Sequence, residues 1–519
     1  MRTSSYVIYV PIPQADFYYI LHGYSGAVDK VSPEVVQYLL DRADPLHTWH
    51  IQDEDLARVS LRGRYSDPSE ATIQMLTDRG YLTTKTLEQE RIYVQQLSAL
   101  LHKRTLARAK PGFLIIPTYE CNLRCTYCYE ANLRTELSHQ RCLKATMSRE
   151  LVDALFECMT FLVSKCADQA APGAEPKKGV NVTLYGGEPL WTYTLPIVEY
   201  IVQKSRDQNM TFSAITNAVE LDRFVHLLGP ECIRWLQVTL DGPRDIHNQR
   251  RLGPQYPAGT YDQILNNIML ALEHDVKVSV RLHVDARSVH RVDEVMSDLS
   301  SRGLLGAKKF SIYVQTTHSW HRGHPVPAYP DVSMQGVQKS LEAGPFRMYQ
   351  EKGLSLSDNN VAEKLDKYIR RGLIGLCPGM EPCSATTGMH IFDPFGKIHA
   401  CWDTAGLCNQ EIGSYETGRP VYNEREKAWR SRSPAQIPEC SDCKYVLFHY
   451  GGCPDIPVAT GRGLTGPGCY EFEGEFTWVS RKFFSSDMLT ATLKKQKEES
   501  EKRRKGEDES QAQAAVTAA

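Results

Sequence analysis

With 519 residues, 42% of them hydrophobic and 24% charged, the chain can bury a large core in two to four domains, which excludes a small stapled scaffold. Lys and Arg total 60 against 62 Asp and Glu, and a formal net charge of -2 argues against a nucleic-acid partner. No apolar run reaches the roughly 18 residues of a membrane span, and residues 1–9 lack a basic segment followed by an apolar one, so a cytoplasmic location without a membrane partner is expected.

In chain order, residues 1–100 read as a small α+β unit. The β-branched and aromatic runs 6–11 and 17–22 are predicted strands. Ser32-Pro33-Glu34 supplies an N-cap and a first-turn proline for a helix over 35–40. A second helix, 68–79, stops at Gly80, and 81–84 follows as a strand. This succession looks like a winged helix-turn-helix, though without the basic charge of a DNA binder. After a polar helical connector over 87–109, apolar strands alternate with amphipathic helices throughout 111–330. The predicted strands are 113–116, 181–185, 211–216, 235–240, 277–284 and 309–314. Helices are predicted over 148–165, 196–208, 221–228, 261–274 and 291–302. Six such units predict an α/β fold, a partial (β/α)6 barrel of parallel strands with its chemistry at their C-terminal ends. Residues 331–375 read as linking helices, 376–480 as a cysteine-rich domain, and the charged stretch 490–519 as a frayed helix passing into disorder.

The 15 cysteines are clustered. Three fall within 121–128 and eight between Cys377 and Cys469, while Cys142, Cys158, Cys166 and Cys232 read as ordinary thiols. Disulfides do not persist in the cytosol, so the clusters point to metal or redox chemistry. Directly after the first barrel strand comes Cys121-x3-Cys125-x2-Cys128 with no histidine nearby. Structural zinc takes four protein ligands, and this loop leaves one position empty. A 4Fe-4S cube, in contrast, can leave one iron open.

The loop resembles the signature of the radical S-adenosylmethionine (radical SAM) superfamily. Further motifs of that family end the next strands: Gly186-Gly187-Glu188-Pro189, then Thr216-Asn217-Ala218, then Thr239-Leu240-Asp241-Gly242 with His247, Arg250 and Arg251 downstream. Ala218 replaces the family's usual glycine and Thr239 its usual serine. The resemblance implies that Cys121, Cys125 and Cys128 hold a 4Fe-4S cluster whose fourth iron is chelated by SAM, and that one-electron cleavage yields a 5'-deoxyadenosyl radical. It further implies that Gly186, Gly187, Glu188, Pro189, Thr216, Asn217 and Thr239 bind SAM, with Tyr127 near the adenine. Arg281 on the fifth strand is a candidate contact to the carboxylate or ribose, or a surface ion pair. An electron donor such as flavodoxin or ferredoxin is expected as a partner.

The C-terminal cysteines resemble the SPASM auxiliary-cluster domain. By position, one auxiliary Fe-S cluster would use Cys377, Cys383, Cys401 and Cys453. The other would use Cys440, Cys443, Cys469 and His449, which stands where the pattern has cysteine; Cys408 is a spare thiol that could substitute. A zinc ribbon is the alternative for the array. Asp403 is a candidate catalytic base, displaced by Trp402 from the position it holds in sulfatase-maturing relatives. The resemblance implies a maturase that abstracts hydrogen from a ribosomally made precursor peptide, holds the leader on its N-terminal element, and installs a thioether, carbon–carbon or carbon–oxygen cross-link. Alternatives are sulfatase-type oxidation of Ser or Cys, peptide epimerisation, or a non-enzymatic Fe-S or zinc scaffold.

Overall fold

The computed structural model describes residues 1–12, 15–44, 65–128, 130, 145–168, 180–208, 210–316, 320–321, 324–325, 354–356, 361–372, 383–469, 472–486, 489–492 and 494–495. At the N-terminus β1 (Arg2–Thr3) is followed by an antiparallel meander of β2 (Val7–Pro11), β3 (Tyr18–His22) and β4 (Val28–Val31). The helices Pro33–Leu40 and Glu70–Asp78 follow, and β5 (Leu82–Thr83) returns to pair with β1. The sequence reading lacked β1 and β4, which are short or partly exposed and carry little alternation. Val7, Ile20 and Val31 meet Val36, Leu39 and Leu76 in one core. Ile8, Val10 and Leu21 enter another, with Leu365, Phe448, Phe476 and Phe483. The meander is therefore covered on both faces, one of them by the C-terminal region. His22 is fully buried, its Nδ1 accepting from the Ser25 amide at 3.2 Å and its Nε2 3.0 Å from Ser4 Oγ. Burial pushes its pKa down to about 4.

The helix Leu87–Arg108, opened by a Thr86/Gln89 capping box, leads to the main sheet. Its strands begin with β6 (Gly112–Ile115); β7 (Arg124–Cys125) lies outside it. β8 (Val180–Leu184), β9 (Met210–Thr216) and β10 (Ile233–Leu240) follow, then β11 (Arg251–Leu252), again outside, β12 (Lys277–Val284) and β13 (Phe310–Thr316). β6, β8, β9, β10, β12 and β13 run parallel and neighbour one another in that order, as the alternating pattern predicts. The helices Arg149–Asp168, Leu195–Ser205, Tyr261–Glu273 and Val292–Ser301 occupy the expected positions. The predicted helix over 221–228 is instead a 3-10 helix, Leu221–Leu227. Gly229 and Pro230 end it before an α-helix can establish itself.

β12 explains why the barrel holds a site. Val278, Val280, Leu282 and Val284 are fully buried, while Arg281 and His283 on the opposite row are only half-buried. A packed parallel sheet is apolar on both faces, so the polar inner row marks a lumen.

After β13 come the hairpin β14 (Trp320–His321) and β15 (His324–Pro325), then β16 (Leu354–Leu356), which adds to β13 as a further parallel strand. The 331–375 linker is thus not all helix: an apolar Leu-Ser-Leu run pairs with the open edge of β13. The helix Val361–Gly372 follows. At the other edge β17 (Met389–Phe392) runs parallel to β6 and continues the sheet antiparallel through β18 (Lys397–His399), β19 (Gly413–Ser414) and β20 (Val421–Tyr422). The stretch to Cys469 has only short helices and turns before the helix Phe472–Ser485. Residues 489–492 and 494–495 are helical, and Thr492 is buried, its hydroxyl donating to Asp366 Oδ1 at 2.6 Å. The tail therefore begins packed, and its remainder lies outside the described residues. No helix among the described residues is long and apolar enough to cross a membrane.

Candidate active site

The cysteine loop leaves β6 and is held against the end of β8. The Gly187 amide donates to Thr118 O at 3.1 Å and the Glu188 amide to Glu120 O at 2.9 Å. A side chain on either glycine would collide with this loop: a Cβ on Gly186, whose φ is +122°, would lie 2.6 Å from Thr118 O, and one on Gly187 would strike Glu120 O and Tyr119 O. The loop's far side is fixed by β7, which pairs with β11 through Arg251↔Cys125 and Leu252↔Arg124.

Glu188 is buried beneath the loop. Its Oε1 accepts from Thr216 Oγ1 at 2.5 Å and the Leu190 amide at 2.9 Å, and its Oε2 accepts from the Asn217 amide at 2.6 Å. Three bonds leave one of about four acceptor sites of a carboxylate unfilled. Burial lifts its pKa to about 7 against the lowering effect of these bonds. A cation at the free lone pair would draw the group back to its charged form. The Asn217 side chain donates to Asn122 Oδ1 at 2.8 Å and faces Cys121 Sγ at 3.7 Å, tying the third strand end to the cysteine loop. Ala218, at the position where the resembled motif usually has glycine, adopts a left-handed φ of 58°.

Across the lumen Tyr127 O–H donates to buried Asp241 at 2.6 Å and accepts from Arg251 Nη1 at 2.8 Å. His283 Nδ1 is 3.1 Å from Asp241 Oδ1. Asp241 is held below the ordinary carboxylate range, its burial outweighed by the His283 hydrogen bond and the Arg251 charge. Thr239 and Arg281 are direct partners across β10 and β12, and Arg281 Nε is buried without a partner among the described residues. The sequence reading missed His283. His283 shares the β12 row of Arg281 at the i+2 position, and that parity is the signal that could have found it.

Cys121, Cys125 and Cys128 are half-buried on one loop. Burial, then the Glu188 charge, pushes the Cys121 thiol well up, so a thiolate there calls for a compensating cation. Among the described residues no three His, Cys, Asp or Glu side chains converge tightly enough for a single metal ion. A cube spreads its ligands over separate corners, and three thiols around a glycine-cleared cradle fit that group. The free lone pair of Glu188 and the orphan N–H of Arg281 fit the ammonium and an acidic oxygen of an amino-acid ligand.

In the C-terminal region Cys383, Cys401 and Cys453 share an electrostatic neighbourhood with Asp403. Asp403 sits in the 3-10 turn Trp402–Thr404, its Oδ2 4.0 Å from Cys401 Sγ. Cys440 senses Cys443 and Cys469. His449 Nε2 lies 3.2 Å from Cys443 Sγ, and its Nδ1 accepts from the Gly451 amide at 3.0 Å. Ligation through Nε2 would need the proton on Nδ1 and would give up that bond. Cys408 is exposed, and Cys377 lies outside the described residues.

Residues 115–298 match the radical SAM superfamily model. No curated protein sequence matches the chain. Among solved structures it resembles native anSMEcpe with bound AdoMet, at 15% identity and a TM-score of 0.51, over 75% of this chain and 100% of that one. The same protein with bound AdoMet and Kp18Cys peptide matches at 14% identity and 0.50, over 75% and 99%. Streptococcus suis SuiB bound to precursor peptide SuiA aligns at 13% identity and 0.48, over 90% and 98%. These likenesses concern the fold.

Proposed function

We propose that the chain is a radical SAM maturase with a SPASM-type auxiliary-cluster domain, acting on a ribosomally made peptide. The observation that carries this reading is the convergence of the three-cysteine loop, Glu188 and Asn217 at neighbouring parallel strand ends, with the Arg281 N–H orphaned on the same lumen wall. Cys121, Cys125 and Cys128 would hold the 4Fe-4S cluster. Gly186, Gly187, Glu188, Pro189, Thr216, Asn217, Thr239, Tyr127 and Arg281 would bind SAM, Glu188 taking its ammonium. Bound there, cluster and SAM supply a 5'-deoxyadenosyl radical once an electron donor has reduced the cluster.

Cys377, Cys383, Cys401 and Cys453, and Cys440, Cys443, Cys469 and His449, would hold two auxiliary clusters suited to accepting the electron left when a substrate radical is oxidised. Asp403, beside Cys401, would accept the substrate proton. Two observations favour a peptide substrate. The N-terminal meander has an edge, β4, to which a leader could add as a strand, and the anSMEcpe fold was solved with a peptide bound. The product of such a step is an oxidative cross-link.

Anaerobic reconstitution with SAM and dithionite tests the reading. The wild type should form 5'-deoxyadenosine, and Ala at Cys121, Cys125 and Cys128 should bring it below detection. Ala at Cys440 and Cys443 should spare SAM cleavage and depress peptide modification. A fully loaded wild type that forms no 5'-deoxyadenosine would refute it.

A further inference from the structure

Between the two groups of C-terminal cysteines lies a buried guanidinium with no role in any motif. Arg432 is 3% exposed. Its Nη2 donates at 3.0 Å to Gly451 O and at 3.0 Å to Gly466 O, while its Nε is buried without a partner among the described residues. These carbonyls belong to two loops. Gly451 and Gly452 precede Cys453, and Gly466 to Gly468 precede Cys469. The loops are themselves in backbone contact: the Gly468 amide donates to Gly451 O at 2.8 Å and the Cys453 amide to Gly468 O at 3.1 Å. A Cβ on Gly452 or Gly468 would strike the opposite loop. Arg432 thus clamps the point where a cysteine of one proposed cluster meets a cysteine of the other. The thiols of Cys440, Cys453, Cys383 and Cys469 all lie within reach of its charge.

A buried cation needs a negative partner, and among the described residues no carboxylate hydrogen-bonds to this one; the two bonds it donates go to neutral carbonyls. The groups around it that gain negative charge are cysteine sulfurs.

We propose that Arg432 is a positioning residue that lies between the two auxiliary centres, compensates the negative charge of their thiolates, and raises the potential at which they accept an electron. This rests on the assignment of those cysteines as cluster ligands. A reduced cluster carries one more negative charge than an oxidised one, so a fixed cation nearby favours reduction.

The test compares Arg432→Gln, which keeps a polar donor but is neutral, with Arg432→Lys, which keeps the charge. Iron per chain and EPR-monitored titration of the auxiliary signals with dithionite are read in each. The expected result is full iron in both, with the Gln midpoint more negative by at least a tenfold change in the reduction equilibrium, about 59 mV for one electron, and the Lys midpoint near wild type. An unshifted Gln midpoint, or equal shifts in both variants, overturns the proposal. Should Gln fail to hold auxiliary iron, retention by Lys supports it and loss from both overturns it. A wild type without auxiliary iron refutes the ligand assignment itself, which is a different failure.

Discussion

A glycine, an alanine and a histidine show how local chemistry limits what a position can hold. Gly187 has no room for a side chain because two backbone carbonyls of the cysteine loop occupy the space, and backbone cannot swing away as a flexible side chain can. Gly187→Ala should cost about 3 kcal/mol, read by urea unfolding, and should lower iron at the cysteine loop. An alanine variant with wild-type stability would mean that the loop does not need this approach. At Ala218 opposing effects explain why alanine is tolerated. A left-handed alanine is strained by about 1–2 kcal/mol, while its fully buried methyl returns about 0.8 kcal/mol. His22 provides a pH test. Its folded pKa of about 4 lies below the ordinary 6.5, so its contribution to stability is complete above 6.5 and lost as pH falls toward about 4. The shift corresponds to about 3 kcal/mol, and His22→Gln should flatten the dependence of melting temperature on pH in that window. An equally steep His22→Gln profile would assign the dependence to other groups.

Among the elements, those with a long periodic pattern were legible and those made by pairing were not. β12 was predicted with its observed bounds, since eight alternating residues leave little ambiguity. β7 and β11 have two residues each and exist because Cys125 and Arg251 meet across 126 positions of chain, which no local pattern encodes. Arg432 escaped for the same reason: an isolated arginine carries no signal until the loops around it are placed. The strand-end motifs were legible because glycine and asparagine at those positions set the close approach and the hydrogen bond to the cysteine loop. The helix Phe472–Ser485 illustrates the opposite case. Its place against the N-terminal meander emerges only from packing, where Phe476 is fully buried against Tyr445, Phe448 and Phe472. Phe476→Ala should cost about 3–5 kcal/mol and loosen the first strands as well as the helix. Hydrogen exchange checks this, and undisturbed protection in Val7–Pro11 would contradict a shared core.

For the whole molecule, the main sheet runs uninterrupted from the barrel into the cysteine-rich region, because β6 has β8 on one side and β17 on the other. The strand that launches the cysteine loop is therefore completed by a strand made much later. Tyr119 and Asp393, joined by a 3.2 Å hydrogen bond at that seam, are 274 positions apart. At synthesis rates of about 5–20 residues per second, the growing chain carries an uncovered β6 edge for roughly 14–55 s. During that interval the strand before Cys121, Cys125 and Cys128 lacks the β17 partner that closes its second edge in the finished sheet.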